Sequence, residues 1–560
     1  MLDPDDIPSP LLGPGERSEV RIEPIRSGRS RMLYVVRRSL VLAARVAEAA
    51  SGEREPARQA AEVLRSIGGI WAKAGQILSA AHAVFPTPLL VEVMKLHHCS
   101  PGFDPALARR RIEEELRRPI ESLFSKFEDQ PVAAGSFSQV HRAVLRENGV
   151  RVAVKVQRPG IERLIEQDMA ILARFFRWYA RFARPEQLRL REMRREIARS
   201  LDEELDYRRE AEHTKTLRRE IAGHGIGVPE VFGDCSSRSV LVTEYVDGVF
   251  LSDYLDVLDR DPDRARTWLD ANGIDPRRVA RKMYESILRQ ALENKLFHGE
   301  PSPGNVILRK GNGVVLIDVG AVGRLAPESQ RSYARFFRSV VSREYRDAAD
   351  RLIRFFEPLP PVDLDQLKKD IVRVFRSWDA ATRIRELPYA QRSTTSVWAR
   401  IGEVSVSYHI PLEWVYVRLD RATIALDVGI RFLHERIDYH RELARYFRRA
   451  TRREARTGSP GPGAISQIDL AGLDVQIEDL AGDFADVVRR NSLAFESTGN
   501  KLASVVAVVF RRFLLVATLV GAFLLALFVD QRITPVRPSS GASRLGEVLV
   551  AGVDAGHEPG

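Results

Sequence analysis

The spacing of apolar positions changes several times along the chain, and each change marks a different kind of element. Residues 31–50 (RMLYVVRRSLVLAARVAEAA), 61–78 (AEVLRSIGGIWAKAGQIL) and 109–127 (RRRIEEELRRPIESLFSKF) repeat apolar side chains every three or four residues, which predicts amphipathic helices. Over 130–160 the period shortens. The stretch QPVAAGSFSQVHRAVLRENGVRVAVKVQRPG carries β-branched residues in short runs around Glu147-Asn148-Gly149, predicting strands joined by a tight turn. Long amphipathic helices follow over roughly 160–220, and Ser239–Gly248 (SVLVTEYVDG) reads as a short buried strand. From about 265 to 450 the pattern is helical again, interrupted by the apolar strand of Asn312–Gly320 (NGVVLIDVG). Thr457–Gln467 (TGSPGPGAISQ) has linker composition.

One run differs from all of these. Phe513–Val529 is uncharged over about seventeen residues, at the short edge of what spans a bilayer, and is flanked by Arg511, Arg512, Asp530 and Arg532. A buried core helix is the plain alternative. The run follows a flexible linker and lacks a polar stripe, so the expectation is a single membrane span. The arginine-rich body precedes it and the tail is nearly neutral, which places the body on the cytoplasmic side of the inner membrane.

Composition narrows the classes. With 560 residues, 44% hydrophobic and 29% charged, the chain is long enough for two or three domains with sizeable cores. The net charge of +10 suits anionic lipid head groups, nucleic acid or polyphosphate ligands. No recognised nucleic-acid motif is present, and interleaved Arg and Glu read as solvated helix surface, so nucleic acid is not an expected partner. The only cysteines are Cys99 and Cys235, which argues against a disulfide framework or a structural zinc site. The first twenty residues lack the apolar core of a secretory signal.

The candidate chemistry lies in the strand passage and after it. Ala133-Ala134-Gly135-Ser136 is a small-residue loop about twenty residues before Lys155, which sits in the strand-like VAVKV. Phosphoryl-transfer sites of the kinase type need a thin loop over the phosphates and a cation reaching the α and β oxygens. Alone, Lys155 is most simply an edge-strand lysine facing water. A carboxylate from a helix would orient its ammonium. EELDYRREAEHTK offers Glu203, Asp206 and Glu210 on one helical face and Glu204 on another, each of which alone reads as solvated surface. KLFHGEPSPGNVIL (Lys295–Leu308) then resembles a kinase catalytic loop, with Glu300 five residues before Asn305, and Asp318 follows the apolar strand in an Asp-x-Gly unit. In such a site the asparagine and the Asp-x-Gly aspartate hold Mg²⁺. Each fragment is weak alone; all of them in this order form a specific signal.

The same residues resemble the UbiB/AarF family of atypical kinase-like proteins linked to isoprenoid-quinone (coenzyme Q) biosynthesis, from about Ala60 to Leu325 and more loosely to about 450. The most specific mark is Lys73-Ala74-Gly75-Gln76, which looks like the family's K-x-G-Q signature. Read without the family, Lys73 is a snorkelling surface lysine. The resemblance implies a gating helix carrying Lys73 and Gln76, with Lys73 engaging Glu204 and Asp206 of the family's E-x-D motif. It further implies Glu210 as partner of Lys155, and Ala133, Ala134, Gly135, Ser136, Lys155, Glu210, Glu244 and Val246 as the nucleotide-binding set. ATP or ADP with Mg²⁺ at Asn305 and Asp318 would be the cofactors. Membrane lipids, quinone or lipid intermediates and quinone-biosynthesis proteins would be the partners.

Departures from the family pattern are informative. Its loop reads H-x-D-P-H-P-G-N; here Glu300 replaces the aspartate and Ser302 the second histidine. Val319 stands in the D-F-G position, Gly135 replaces the third alanine of the A-rich loop, and the asparagine expected after Glu-Ala is missing. Glu300 matters most, because misplacing a catalytic group by about 1 Å costs on the order of 100-fold in rate. The sequence is therefore compatible with slow ATP turnover, with a nucleotide-gated pseudokinase scaffold, and with a kinase fold that serves only as a membrane-bound shape.

The expected architecture is α+β and bilobal, a protein-kinase-like fold with an N-terminal helical extension and a C-terminal transmembrane helix. Its parts are a disordered tail over 1–30, the extension over 31–125, an N-lobe with inserted helices over 126–248 and a helical C-lobe over 249–450. A linker with a short helical segment (451–500), the span (501–530) and an extracytoplasmic tail (531–560) complete it.

Overall fold

A computed structural model describes chiefly residues 6–13, 54–67, 102–135, 137–179, 201–356, 359–384, 386–408 and 414–457. The N-terminal lobe is built on one antiparallel sheet. Its strands are β1 (Phe124–Phe127), β2 (Ala133–Ala134), β3 (Ser138–Leu145), β4 (Arg151–Gln157) and β5 (Val240–Glu244), in the order β1-β3-β4-β5 with β2 against β3. Alternation decides what each face does. Val152, Val154 and Val156 of β4 are buried with Val240 and Val242, while Ala153 and Lys155 point to the opposite face. The β3–β4 turn uses Gly149 at φ +69°, and Asn148 accepts from the Val150 N–H through its side chain at 3.1 Å.

Helices α1 (Arg54–Ile67), α2 (Pro105–Leu116), α3 (Ile161–Tyr179) and α4 (Tyr207–Glu220) surround this sheet in sequence. The C-terminal lobe opens with α5 (Leu251–Arg260), α6 (Pro262–Ala271) and α7 (Pro276–Glu293). Asp-Pro pairs start α2, α6 and α7. The aspartate caps free backbone N–H groups, and proline at the first helical position loses no hydrogen bond. After α7 come β7 (Phe297–His298), β8 (Val306–Arg309), β9 (Gly313–Leu316) and β10 (Val322–Gly323). β8 lies between β9 and β6 (Val249–Phe250), and β7 pairs with β10. Helices α8 (Pro327–Val341), α9 (Tyr345–Arg354), α10 (Leu364–Arg383), α11 (Thr394–Ser407), α12 (Trp414–Leu433) and α13 (Tyr439–Thr457) complete the lobe around one large apolar core. This is the bilobal kinase-like arrangement, a small β-containing lobe above a helical one.

Four local expectations need correction. The helical period of 109–127 breaks, because Arg117 adopts φ +53° and Pro119 follows, and the last four residues become β1. The pattern over 160–220 is not continuous either: Asp206 leaves the helical path and caps α4. It therefore does not share a helical face with Glu210. β8 lies inside a stretch read as helical, since a four-residue strand carries too little periodicity to detect. Within the tail expected to be disordered, Ser9 is docked on α6. Its N–H donates to Asn272 at 2.7 Å, its carbonyl accepts from the Trp268 indole at 2.7 Å, and Leu11 is buried in the C-lobe core. Among the described residues no helix is long and apolar enough to cross a membrane. The run Phe513–Val529 lies outside the described residues, as do Lys73, Gln76 and Ser136.

The β7–β10 pair sets Gly323 opposite Phe297, and a Cβ at Gly323 would fall 2.0 Å from the Phe297 ring. Gly323→Ala should therefore destabilise the protein by about 1–3 kcal/mol through overpacking, seen as a lowered denaturation midpoint. An unchanged midpoint contradicts this packing.

Candidate functional site

The pleat of β4 delivers Lys155 to the cleft between the lobes. Helix α4 supplies its first partner: the Asp206 carboxylate accepts from the Arg208 N–H at 3.1 Å, which fixes where the helix begins and places Glu210 in its first turn. Both carboxylate oxygens of Glu210 accept from Lys155 Nζ at 2.9 Å. Asp318, from the C-lobe, accepts from the same ammonium at 2.6 Å. Asp318 adopts φ +58°, a left-handed conformation that aspartate tolerates better than bulkier residues. The Tyr207 ring lies beneath the ammonium, with its centroid 5.2 Å from Nζ.

One ammonium thus faces two carboxylates. Desolvation works against the charged lysine, but Asp318 and Glu210 outweigh it and hold its pKa well above the ordinary value. Glu210 is 6% exposed against 40% for Asp318. Burial pushes Glu210 up to about 8, with Lys155 opposing and Asp318 reinforcing the rise. Asp318 is the more exposed of the two carboxylates and the closer to the ammonium.

The catalytic-loop segment is tied down by its backbone. Glu300 N–H donates to His298 Nδ1 at 3.1 Å, so the ring proton sits on Nε2 and donates to the Ile317 carbonyl at 3.0 Å. Burial pushes the His298 pKa down, which agrees with a neutral ring. The His298 N–H donates to Gln290 of α7 at 3.0 Å. The Glu300 carbonyl accepts from Asn305 Nδ2 at 2.9 Å, turning Asn305 Oδ1 away from it, and the Ile317 N–H donates to the Asn305 carbonyl at 3.0 Å. Glu300 is 8% exposed. Its backbone is held at both ends, so its extra methylene must be absorbed by the side chain. Ser302, where the family pattern has histidine, is buried, and its hydroxyl makes no hydrogen bond among the described residues.

Other expected site residues fall in distinct places. Ala133 and Ala134 form β2, and the Gly135 N–H donates to the Ser138 carbonyl at 2.8 Å. A Cβ on Gly135 would meet only Ser138 Oγ at 3.7 Å, so packing does not require glycine there. Glu244 ends β5 with its carboxylate accepting from the Glu230 N–H at 3.3 Å and lying 3.7 Å from Arg218; Val246 follows two residues on. Asp206 is paired with Arg208 at 2.7 Å. Glu204 lies in the helical turn just before Asp206, and Glu203 pairs with Arg418 of α12 at 3.3 Å. Arg418 also donates to the Val322 carbonyl at 3.2 Å. Tyr207, Gln290 and Arg418 were not among the residues expected at the site.

No cluster of three or more His, Cys, Asp or Glu suited to a metal occurs among the described residues. The donors that would serve Mg²⁺ are the hard oxygens of Asn305 and Asp318. Such a pair suits an ion that retains water and phosphate ligands. The residues present fit Mg²⁺ in that shared role.

With its pKa raised to about 8 in the folded chain, Glu210 contributes stability that is full below its ordinary value near 4.5 and is lost as pH rises toward 8. The stability of wild type relative to Glu210→Gln should therefore fall with pH, with a slope of up to about 1.4 kcal/mol per unit. Chemical denaturation at pH 5 and pH 8 reads the difference, and a gap that does not change with pH contradicts this electrostatic picture.

Comparison with known proteins supplies relatives. A family model described as "ABC1 atypical kinase-like domain" matches residues 95–352. A protein of Cronobacter sakazakii named "Probable protein kinase UbiB" is 30% identical over 383 residues, covering 67% of each chain. "ACTIVITY OF BC1 COMPLEX KINASE 7, chloroplastic" of Arabidopsis thaliana is 33% identical over 325 residues, which are 57% of this chain but only 44% of that one. The solved complex of Rv3197 with erythromycin from Mycobacterium tuberculosis aligns over 60% of this chain and 80% of that chain, at 20% identity and a TM-score of 0.43. That likeness is too distant to bear on the site.

Proposed function

We propose, starting from the fact that the chain belongs to the UbiB/ABC1 family of atypical kinase-like proteins, that it binds Mg-nucleotide in the interlobe cleft and acts as a membrane-tethered atypical kinase or ATPase supporting isoprenoid-quinone or lipid metabolism. The observation that carries the nucleotide reading is Lys155 held at 2.9 Å by Glu210 and at 2.6 Å by Asp318. Lys155 would reach the α and β phosphate oxygens, with Glu210 fixing its direction and the Ala133–Ser136 loop lying over the phosphates. Asn305 and Asp318 would hold Mg²⁺, which would supply positive charge against the phosphates. Asp318 must first release Lys155, so nucleotide entry exchanges one ion pair for another. Glu300 would orient the attacking water or hydroxyl. Glu204 and Asp206, with Lys73 and Gln76, would gate access to the cleft.

Glu300 itself favours a second reading. Its loop backbone is pinned, so a longer side chain leaves nucleotide binding intact while displacing the carboxylate from an aspartate's position. A nucleotide-gated scaffold on anionic lipid would result.

The test is the melting temperature of the purified full-length chain with ATP or ADP, with and without Mg²⁺. Ligand at 100 times its Kd stabilises by about 2.7 kcal/mol. A Mg²⁺-dependent rise that Asp318→Asn abolishes is expected; no rise with either nucleotide overturns the proposal. Phosphate release then separates the two readings. A rate that increases on the order of 100-fold in Glu300→Asp marks an impaired enzyme, whereas no release from either form marks a scaffold.

The apolar run Phe513–Val529 is proposed as the membrane anchor. Deletion of 501–560 should move the protein from the membrane pellet to the supernatant; retention in the pellet contradicts an anchor at this end.

A further inference from the structure

The last described helix carries a large share of the chain's charge. Over Tyr439–Thr457, α13 holds seven arginines against two glutamates, a net +5 beside the +10 of the whole chain. Its apolar side packs inward, with Leu443, Tyr446 and Ala450 buried in the C-lobe core. On the other side Arg441, Arg445, Arg448 and Arg452 follow one another at four, three and four residues. That spacing aligns them in one stripe, about 16 Å long. Arg445 pairs with Glu442, and the neighbouring Arg449 and Arg453 reach Glu285 and Glu293 of α7. Arg441, Arg448 and Arg452 are exposed and form no ion pair among the described residues.

The chain that follows is the complement of this stripe. Residues 457–488 carry six carboxylates between Asp469 and Asp486, and no lysine or arginine. They lie outside the described residues. Two anionic partners would suit the stripe, this segment and an anionic bilayer. A helix that lies on a bilayer inserts its apolar face, and that face of α13 is already buried against the lobe. An anionic surface would also repel the six carboxylates that come next in the chain. The segment can reach the stripe, because the twelve residues from Thr457 to Asp469 extend up to about 40 Å. Single exposed ion pairs are weak, so several must act together. The short tether helps, since it holds the segment at an effective concentration on the order of millimolar.

We infer that residues 469–486 dock on the stripe formed by Arg441, Arg448 and Arg452 of α13. The segment is an intramolecular acidic partner, which any other polyanion must displace to reach this face. The inference does not rest on the nucleotide reading.

Arginine modification by phenylglyoxal, followed residue by residue by mass spectrometry, tests it on the full-length chain in non-ionic detergent at low salt. Wild type is compared with a chain carrying Asp469→Asn, Asp474→Asn, Glu478→Gln, Asp479→Asn, Asp483→Asn and Asp486→Asn. Arg441, Arg448 and Arg452 should react about tenfold faster in the variant. Arg110, exposed on α2, should react equally in both chains and so report an intact fold. Salt at about 0.5 M should raise the wild-type rates at the stripe and leave Arg110 unchanged. Equal stripe rates in wild type and variant overturn the inference. Protection that appears in both chains only when phosphatidylglycerol is added assigns the stripe to lipid and overturns it too. The salt comparison needs only wild type, and stripe rates that salt leaves unchanged are equally decisive against docking.

Discussion

One ammonium held by two carboxylates from different lobes is the constraint on which the site depends. Lys155 comes from the central strand of the N-lobe sheet, Glu210 from the first turn of α4, and Asp318 from the turn after β9. Glu210 lies 55 residues and Asp318 163 residues from Lys155 along the chain. The Lys155 ammonium stays charged in a partly dry cleft because the carboxylates outweigh its desolvation. They in turn converge without prohibitive repulsion because burial and Asp318 shift Glu210 toward its protonated form. The cluster thus links the two lobes through one ammonium.

Beside this cluster the C-lobe loop is held by a chain of hydrogen bonds. Neutral His298 accepts from Glu300 and donates to Ile317, Gln290 anchors the His298 N–H, and Asn305 closes the loop onto both Glu300 and Ile317. These bonds run through backbone atoms, so they survive the change from aspartate to glutamate at position 300. Loop geometry and side-chain chemistry are therefore separable here, which is why nucleotide binding and turnover are separate questions for this chain.

Much of this was legible in the sequence, for identifiable reasons. The strand carrying Lys155 is legible in the β-branched run VAVKV, whose Val152, Val154 and Val156 are buried while Ala153 and Lys155 take the other face. Lys155, Glu210 and Asp318 meet at one ammonium, while the Asn305 side chain bonds to the Glu300 carbonyl. What escaped depended on local helix breaks and on contacts distant in sequence. Asp206 has helical spacing to Glu210, yet it leaves the helix to cap it, because its side chain competes for the free N–H groups. Residues 109–127 keep an apolar period through a break made by Arg117 and Pro119. Gln290 and Arg418 act on partners 8 to 215 residues away, and nothing local marks them. The docking of Ser9 on Asn272 and Trp268 spans a similar distance in a Pro-rich stretch with no helical or strand period.

The most direct test of the account is a structure of the full-length protein with Mg²⁺ and ADP bound. The account predicts nucleotide between the lobes, Lys155 still within hydrogen-bond distance of Glu210, and Asp318 withdrawn from its 2.6 Å contact with Lys155 toward the metal beside Asn305. Nucleotide bound elsewhere, or bound in the cleft with the Lys155–Asp318 pair intact and no metal on Asp318, would contradict it.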